Sequence, residues 1–167
     1  MIARTTLGLL ALAASAAASL AGSAVAQVPS ADDATFVAMA AVGNVFEVEE
    51  ARLAVQRATD PRLKQFAQAM IAGHTDAMTK LQAAASKSGK PAPVALNAPH
   101  QTMLDNLKGF NGTDFDKVYL ADQIASHVES VALLSDYNQN GGDAGLKAWA
   151  RQSLPMVKGH LATVDAM

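Results

Sequence analysis

The sequence predicts an all-α fold, a four-helix bundle whose two halves are joined by a long crossover containing a short extra helix. Three observations carry this expectation. Apolar residues recur at spacings of three, four and seven along four long stretches, as on a helix lying against a core. No stretch alternates apolar and polar residues in the manner of a strand, and Ala, Leu, Met, Gln and Lys dominate. The connection between the second and third stretches, residues 89–112, is 24 residues long, against roughly 2–8 between neighbouring bundle helices.

The chain opens on a leader. Arg4 gives a short positive start, residues 7–20 are apolar, and Ala24-Val25-Ala26 forms an A-x-A cleavage site before Gln27. The run is Ala-rich and falls short of the ~20 strongly apolar residues of a membrane anchor. Residues 1–26 are therefore expected to be a signal peptide. Cleavage near Ala26 would leave residues 27–167 as one domain with no transmembrane anchor, periplasmic or secreted. Arg4 is the only charge lost with the leader, so 12 basic residues face 15 acidic ones, a net charge of −3. These charges are interspersed, and no basic stripe points to nucleic acid or an anionic membrane. The absence of Cys excludes disulfides, thiolate metal sites and a Cys nucleophile.

Asp32 or Asp33 can cap a first helix over residues 34–58, with Phe36, Met39, Ala40, Gly43, Phe46, Leu53 and Ala54 tracing its face. Asp60-Pro61 stops it and starts the next, a connection that permits only an antiparallel hairpin. The second helix, residues 62–87, buries Leu63, Phe66, Met70, Ala77, Leu81 and Ala84, and Gly89 ends it. Residues 98–108 form the short extra helix, on which His100 reads as exposed. Asn111 or Thr113 caps a third long helix over residues 114–137, and Asp143 caps the fourth, over residues 144–164. Pro155 falls inside the fourth, which predicts a kink or a restart capped by Ser153. A helix of roughly 28 residues is ~42 Å long. The 89–112 connection can span that length, so the second and third long helices should run parallel.

Several polar residues lie on these buried stripes. Glu47 and Glu50 stand just past the middle of the first helix, His74 at the middle of the second and His127 at the middle of the third. Mid-helix positions share a level whichever way neighbours run, and His160, nearer a helix end, borders that level. Imidazole and carboxylate are the ligands of iron, zinc, manganese and copper, and bundle cores assemble such sites from facing helices. Glu47, His74, His127 and His160 are thus candidate metal ligands. The competing reading is a structural envelope protein in which Glu47 and a histidine form a buried ion pair that only fixes helix packing. Met39, Met70, Met78, Met103 and Met156 add soft thioethers that suit copper(I), although methionine at helical spacing is commonly core filler. The sequence holds no Gly-rich phosphate loop, Ser-His-Asp set or nucleic-acid module. An enzyme built on one metal ion ranks last.

Gly43-Asn44, Glu47-Val48-Glu49, Leu53-Ala54, Lys64-Gln65-Phe66-Ala67, His74, Phe115-Asp116, Tyr119, His127, Leu154-Pro155 and His160-Leu161 resemble, in order and spacing, a bacterial exported family of unknown function. That family is usually labelled a ferritin-like domain or an outer-membrane protein. The resemblance covers the chain from about Asp33 onward and implies a ferritin-like bundle in the periplasm. It places the family's polar core positions on Glu47, His74, His127 and His160. Ferritin-like di-iron enzymes carry Glu-x-x-His on two helices. Here Ile71, Ile124 and Val157 stand three residues before the histidines, so the bridging carboxylates of that chemistry are missing.

Overall fold

The computed structural model describes residues 31–167. The expected leader lies outside them. Five helices follow one another, α1 (Asp33–Arg57), α2 (Pro61–Lys87), α3 (Ala98–Lys108), α4 (Gly112–Asn140) and α5 (Ala144–Asp165). The starts of α1, α2, α3 and α5 are set by short acidic or amide side chains that take up free backbone N–H groups, whereas Asn111, at the N-cap of α4, makes no such side-chain bond. Asp32 accepts from Ala34 and Thr35 at 2.9 Å, Asp60 from Arg62 at 2.8 Å, Asn97 from His100 at 3.0 Å and Asp143 from Leu146 at 2.8 Å. At the end of α2, Gly89 takes a φ of 67°, and the Lys90 N–H then returns to the Ala85 carbonyl at 2.9 Å. α5 continues through Pro155 without the restart expected at Ser153, which is buried inside an unbroken helix. The carbonyl that Pro155 leaves without a donor belongs to Arg151, an exposed residue that water can serve.

α1 packs on α2 and α4, and α5 packs on the same two helices, closing a four-helix ring. The Tyr137 hydroxyl near the end of α4 donates to Asp33 at the start of α1. At the opposite end, the Thr59 N–H donates to Asp116 at 2.9 Å. α1 and α4 are therefore antiparallel, and because α1 and α2 form a tight hairpin, α2 and α4 run parallel. The end of α2 meets the start of α5, where Ser88 donates to Asp143 at 2.8 Å. The chain must then cross the length of the bundle to begin α4, as the long connection predicted. α3 rides on this crossover against α1 and α4, and the Arg57 guanidinium donates to the Lys108 carbonyl at 2.8 Å. His100 departs from its expected exposure. It is half-buried, its ring edge-on to Phe46 at 5.0 Å, because α3 lies on the flank of α1.

The apolar core comes in two parts. One gathers Phe36, Leu81, Leu134, Tyr137, Leu146 and Trp149. The other gathers Leu63, Phe66, Met70, Phe115, Tyr119 and Val164. Along each long helix the residues of one cluster give way to those of the other, and polar residues occupy the gap. Asn44, Glu47 and Glu50 fill it on α1, His74 on α2, Gln123 and His127 on α4, and His160 on α5. Trp149 fixes the neighbourhood by donating its indole N–H to the Ala77 carbonyl at 2.9 Å, one turn past His74. Among the described residues no helix is long and apolar enough to cross a membrane.

Candidate metal centre

Of the four sequence-predicted ligands, three come together. The rings of His74, His127 and His160 lie with centroids 5.6 Å, 5.4 Å and 5.6 Å apart, taking the pairs 74–127, 74–160 and 127–160. One nitrogen from each falls within 4.8 Å of the others. His74 and His127 are buried, and His160 is half-buried at the border of the layer.

Local hydrogen bonds decide which nitrogen each buried ring offers. The Asn44 amide donates to the Ala40 carbonyl at 2.7 Å, so its oxygen faces His74 Nδ1 at 3.0 Å and must accept from it. His127 Nδ1 lies 2.8 Å from the Gln123 carbonyl, which can only accept. Both Nδ1 atoms therefore carry the proton, and both Nε2 atoms hold a lone pair. His74 Nε2, His127 Nε2 and His160 Nδ1 are buried without a hydrogen-bond partner. Burial lowers the pKa of all three rings. The charges of His127 and His160 add to the effect at His74, the Gln123 carbonyl opposes it at His127, and His160 is brought down to about 4. At neutral pH the site is thus three uncharged imidazoles facing one another with no protein donor between them. Such an arrangement costs stability unless a cation or a hydrogen-bonding water occupies it.

Glu47 lies behind this trio. Its carboxylate accepts from Ser126 at 2.5 Å and from Gln123 at 2.8 Å. It stands 3.6 Å from His127 Nδ1, on the far side of the ring from the free Nε2. That distance is too long for a hydrogen bond, and the Nδ1 proton already belongs to Gln123. With the imidazole neutral, the contact is not an ion pair. Burial pushes the Glu47 carboxyl up to about 7, against the opposing bonds from Ser126 and Gln123.

Glu50 is fully buried one turn further on, between Gln123, which donates to it at 3.1 Å, and Asp122. Burial, then the charges of Asp122 and Glu47, push it up to about 9. Burial also raises Asp122. No protein donor reaches Glu50 Oε1, and the raised pKa keeps a proton on the Glu50 carboxyl at neutral pH.

Asn44, Gln123 and Ser126 were not anticipated as site residues. Their signal was positional. Asn44 lies three residues before Glu47, and Gln123 lies four before His127, each on the same helical face.

Residues 16–167 match the family described as "Domain of unknown function (DUF4142)". The chain belongs to that family. No curated protein is similar in sequence to this DUF4142 chain. Among solved structures, "CopM in the Cu(II)-bound form" superposes with a TM-score of 0.69 at 18% identity, over 82% of this chain and 95% of that one. A "DUF305 fragment from Deinococcus radiodurans" superposes with a TM-score of 0.70 at 15% identity, over 83% of this chain and 97% of that one. At these identities the likeness is one of fold, and the DUF4142 chain shares its helical-bundle architecture with both.

Proposed function

We propose that this DUF4142 chain is an exported metal-binding protein whose centre is His74, His127 and His160. The carrying observation is the convergence of three uncharged imidazole nitrogens that no protein group satisfies. A structural polar layer would instead leave them to trapped water or unpaired, at about 1–3 kcal/mol for each buried group left without a partner. Three imidazoles with no carboxylate among them suit copper or zinc better than the harder manganese, and lack the carboxylate ligation of a di-iron site. The Cu(II) held by CopM on a similar fold supports copper. Glu47 takes the role of an outer carboxylate behind His127 rather than a ligand.

One nitrogen from each ring lies within 4.8 Å of the others, a spacing that suits a single ion. The cavity beside His74, lined also by Asn44, Ser130, Ser153 and Met156 but by neither His127 nor His160, measures about 30 Å³ and admits a water-sized group. We therefore read the protein as a binder of metal, with no catalytic residue assigned. Calorimetric titration of the untagged, chelator-stripped chain with copper(II) and zinc tests this. One ion per chain is expected for the wild type and none for His127→Ala. Equal binding by the two proteins would refute the centre. Export is part of the same reading, and mass spectrometry of the exported protein should find Gln27 at the N-terminus. An intact Met1 would refute the leader.

A further inference from the structure

Gly73 stands in the interior of α2, immediately before His74, where a glycine weakens a helix. Its bareness has a use. A Cβ placed there would lie 3.1 Å from His160 Cε1 and 3.3 Å from Met156 Sδ. The imidazole of His160 and the thioether of Met156, one turn apart on α5, thus rest side by side against the same stretch of α2 backbone. Met156 also lines the small cavity beside His74. A sulfur is therefore placed beside His160, on a side chain that also lines the cavity bordering His74 and is only half-buried, and that carries three free torsions.

We propose that Met156 is a further ligand of the histidine centre and that it adapts the site to copper(I). The inference rests on the histidine reading given above. Thioether sulfur is a soft, uncharged donor that favours copper(I) and contributes little to zinc, whereas imidazole serves both. Three histidines alone would serve copper(II) and zinc, and adding Met156 extends the site to the reduced ion. Gly73 is then a positioning residue, which keeps open the space that the His160 ring and the Met156 sulfur share.

The test compares copper(I) and zinc in wild type and Met156→Leu, a change that keeps the volume and removes the sulfur. Copper(I) affinity is read anaerobically by competition with a chromophoric copper(I) chelator, and zinc affinity by a zinc-responsive dye. Met156→Leu should weaken copper(I) by on the order of tenfold or more and leave zinc within about twofold. X-ray absorption of the copper(I)-loaded wild type should show a sulfur neighbour that the variant lacks. Equal copper(I) affinity in the two proteins, or no sulfur neighbour in the wild type, would overturn the role of Met156. Failure of the histidine centre itself looks different, since the wild type would then bind neither ion. Should Met156→Leu prove unstable, Gly73→Ala gives a second reading. It adds a good helix former yet should displace His160 and Met156 and weaken both ions, and unchanged affinities would reject the shared space.

Discussion

The histidines of the middle layer sit between α2, α4 and α5, and the carboxylates of the same layer sit between α1 and α4, with His127 and Glu47 in touch across the boundary. Both groups are buried and both lack a positively charged partner, yet they are resolved differently. Among the carboxylates, Gln123 and Ser126 supply donors, and the remaining negative charge is removed by holding a proton on Glu50. At His74 and His127 the protein acceptors lie on the outer nitrogens, and one buried nitrogen of each of the three rings has no protein partner. One region meets most of its polar atoms with protein donors and a proton, leaving single oxygens of Glu50 and Gln123 without a partner, while the other turns three unpartnered nitrogens toward one another, an arrangement complementary to a cation. Buried polarity alone therefore does not mark a metal site. The direction of the lone pairs does.

The largest effect that could break this contrast is metal stabilisation. An ion bound only by the folded chain at a thousand times its dissociation constant adds about 4 kcal/mol. For a domain of this size that raises the melting midpoint by on the order of 10 °C. Differential scanning calorimetry should show this for the wild type and no shift for His74→Ala. A wild-type midpoint indifferent to copper and zinc would remove the distinction between the two regions.

The carboxylate side makes a pH prediction of opposite character. Glu50 is raised from 4.5 to about 9, so the folded chain holds its proton more tightly than the unfolded chain. Stability of the metal-free protein from this group is greatest below about 4.5 and declines as pH rises toward 9. Glu50→Gln keeps the shape without the charge. It should stabilise the protein at pH 8 by on the order of a few kcal/mol, and by much less at pH 5. Urea unfolding at the two pH values measures it, and a variant less stable than wild type at pH 8 would show that Glu50 is ionised in the fold.

Two smaller substitutions sharpen the boundary. Asn44→Ala removes the acceptor that fixes the His74 tautomer, and metal affinity should fall by about 10–100-fold with the ligands intact. Glu47→Gln should change affinity by less than about tenfold, because its oxygens engage Ser126 and Gln123 rather than the metal side of His127. A loss at Glu47 as large as at His127 would place the carboxylate among the ligands.

Much of the fold was legible because its determinants are local. Asp60-Pro61, Asp143 and Gly89 mark helix ends by chemistry that acts within a few residues, and the 89–112 connection is too long for a simple turn. The level of the site was legible too, since mid-helix positions coincide in any bundle. Direction around the helix was not. The spacing puts Glu47 and His127 at one height, but only the packed structure shows Ser126 and Gln123 holding Glu47 on the outer side of His127, away from the nitrogens that face one another. Asn44 and Gln123 escaped notice because amides carry no charge and appear unremarkable on a stripe until a histidine faces them. The unbroken α5 was missed for a related reason: the cost of Pro155 depends on whether the Arg151 carbonyl can reach water, a property of the surface and not of the local sequence.

The account stands on where an ion sits. Anomalous diffraction from crystals grown with copper or zinc locates it directly. The predicted result is one strong peak per chain within about 2–2.5 Å of His74 Nε2, His127 Nε2 and His160 Nδ1. A peak among Glu47, Glu50 and Asp122, or peaks only at surface residues with the three imidazoles unengaged, would contradict it.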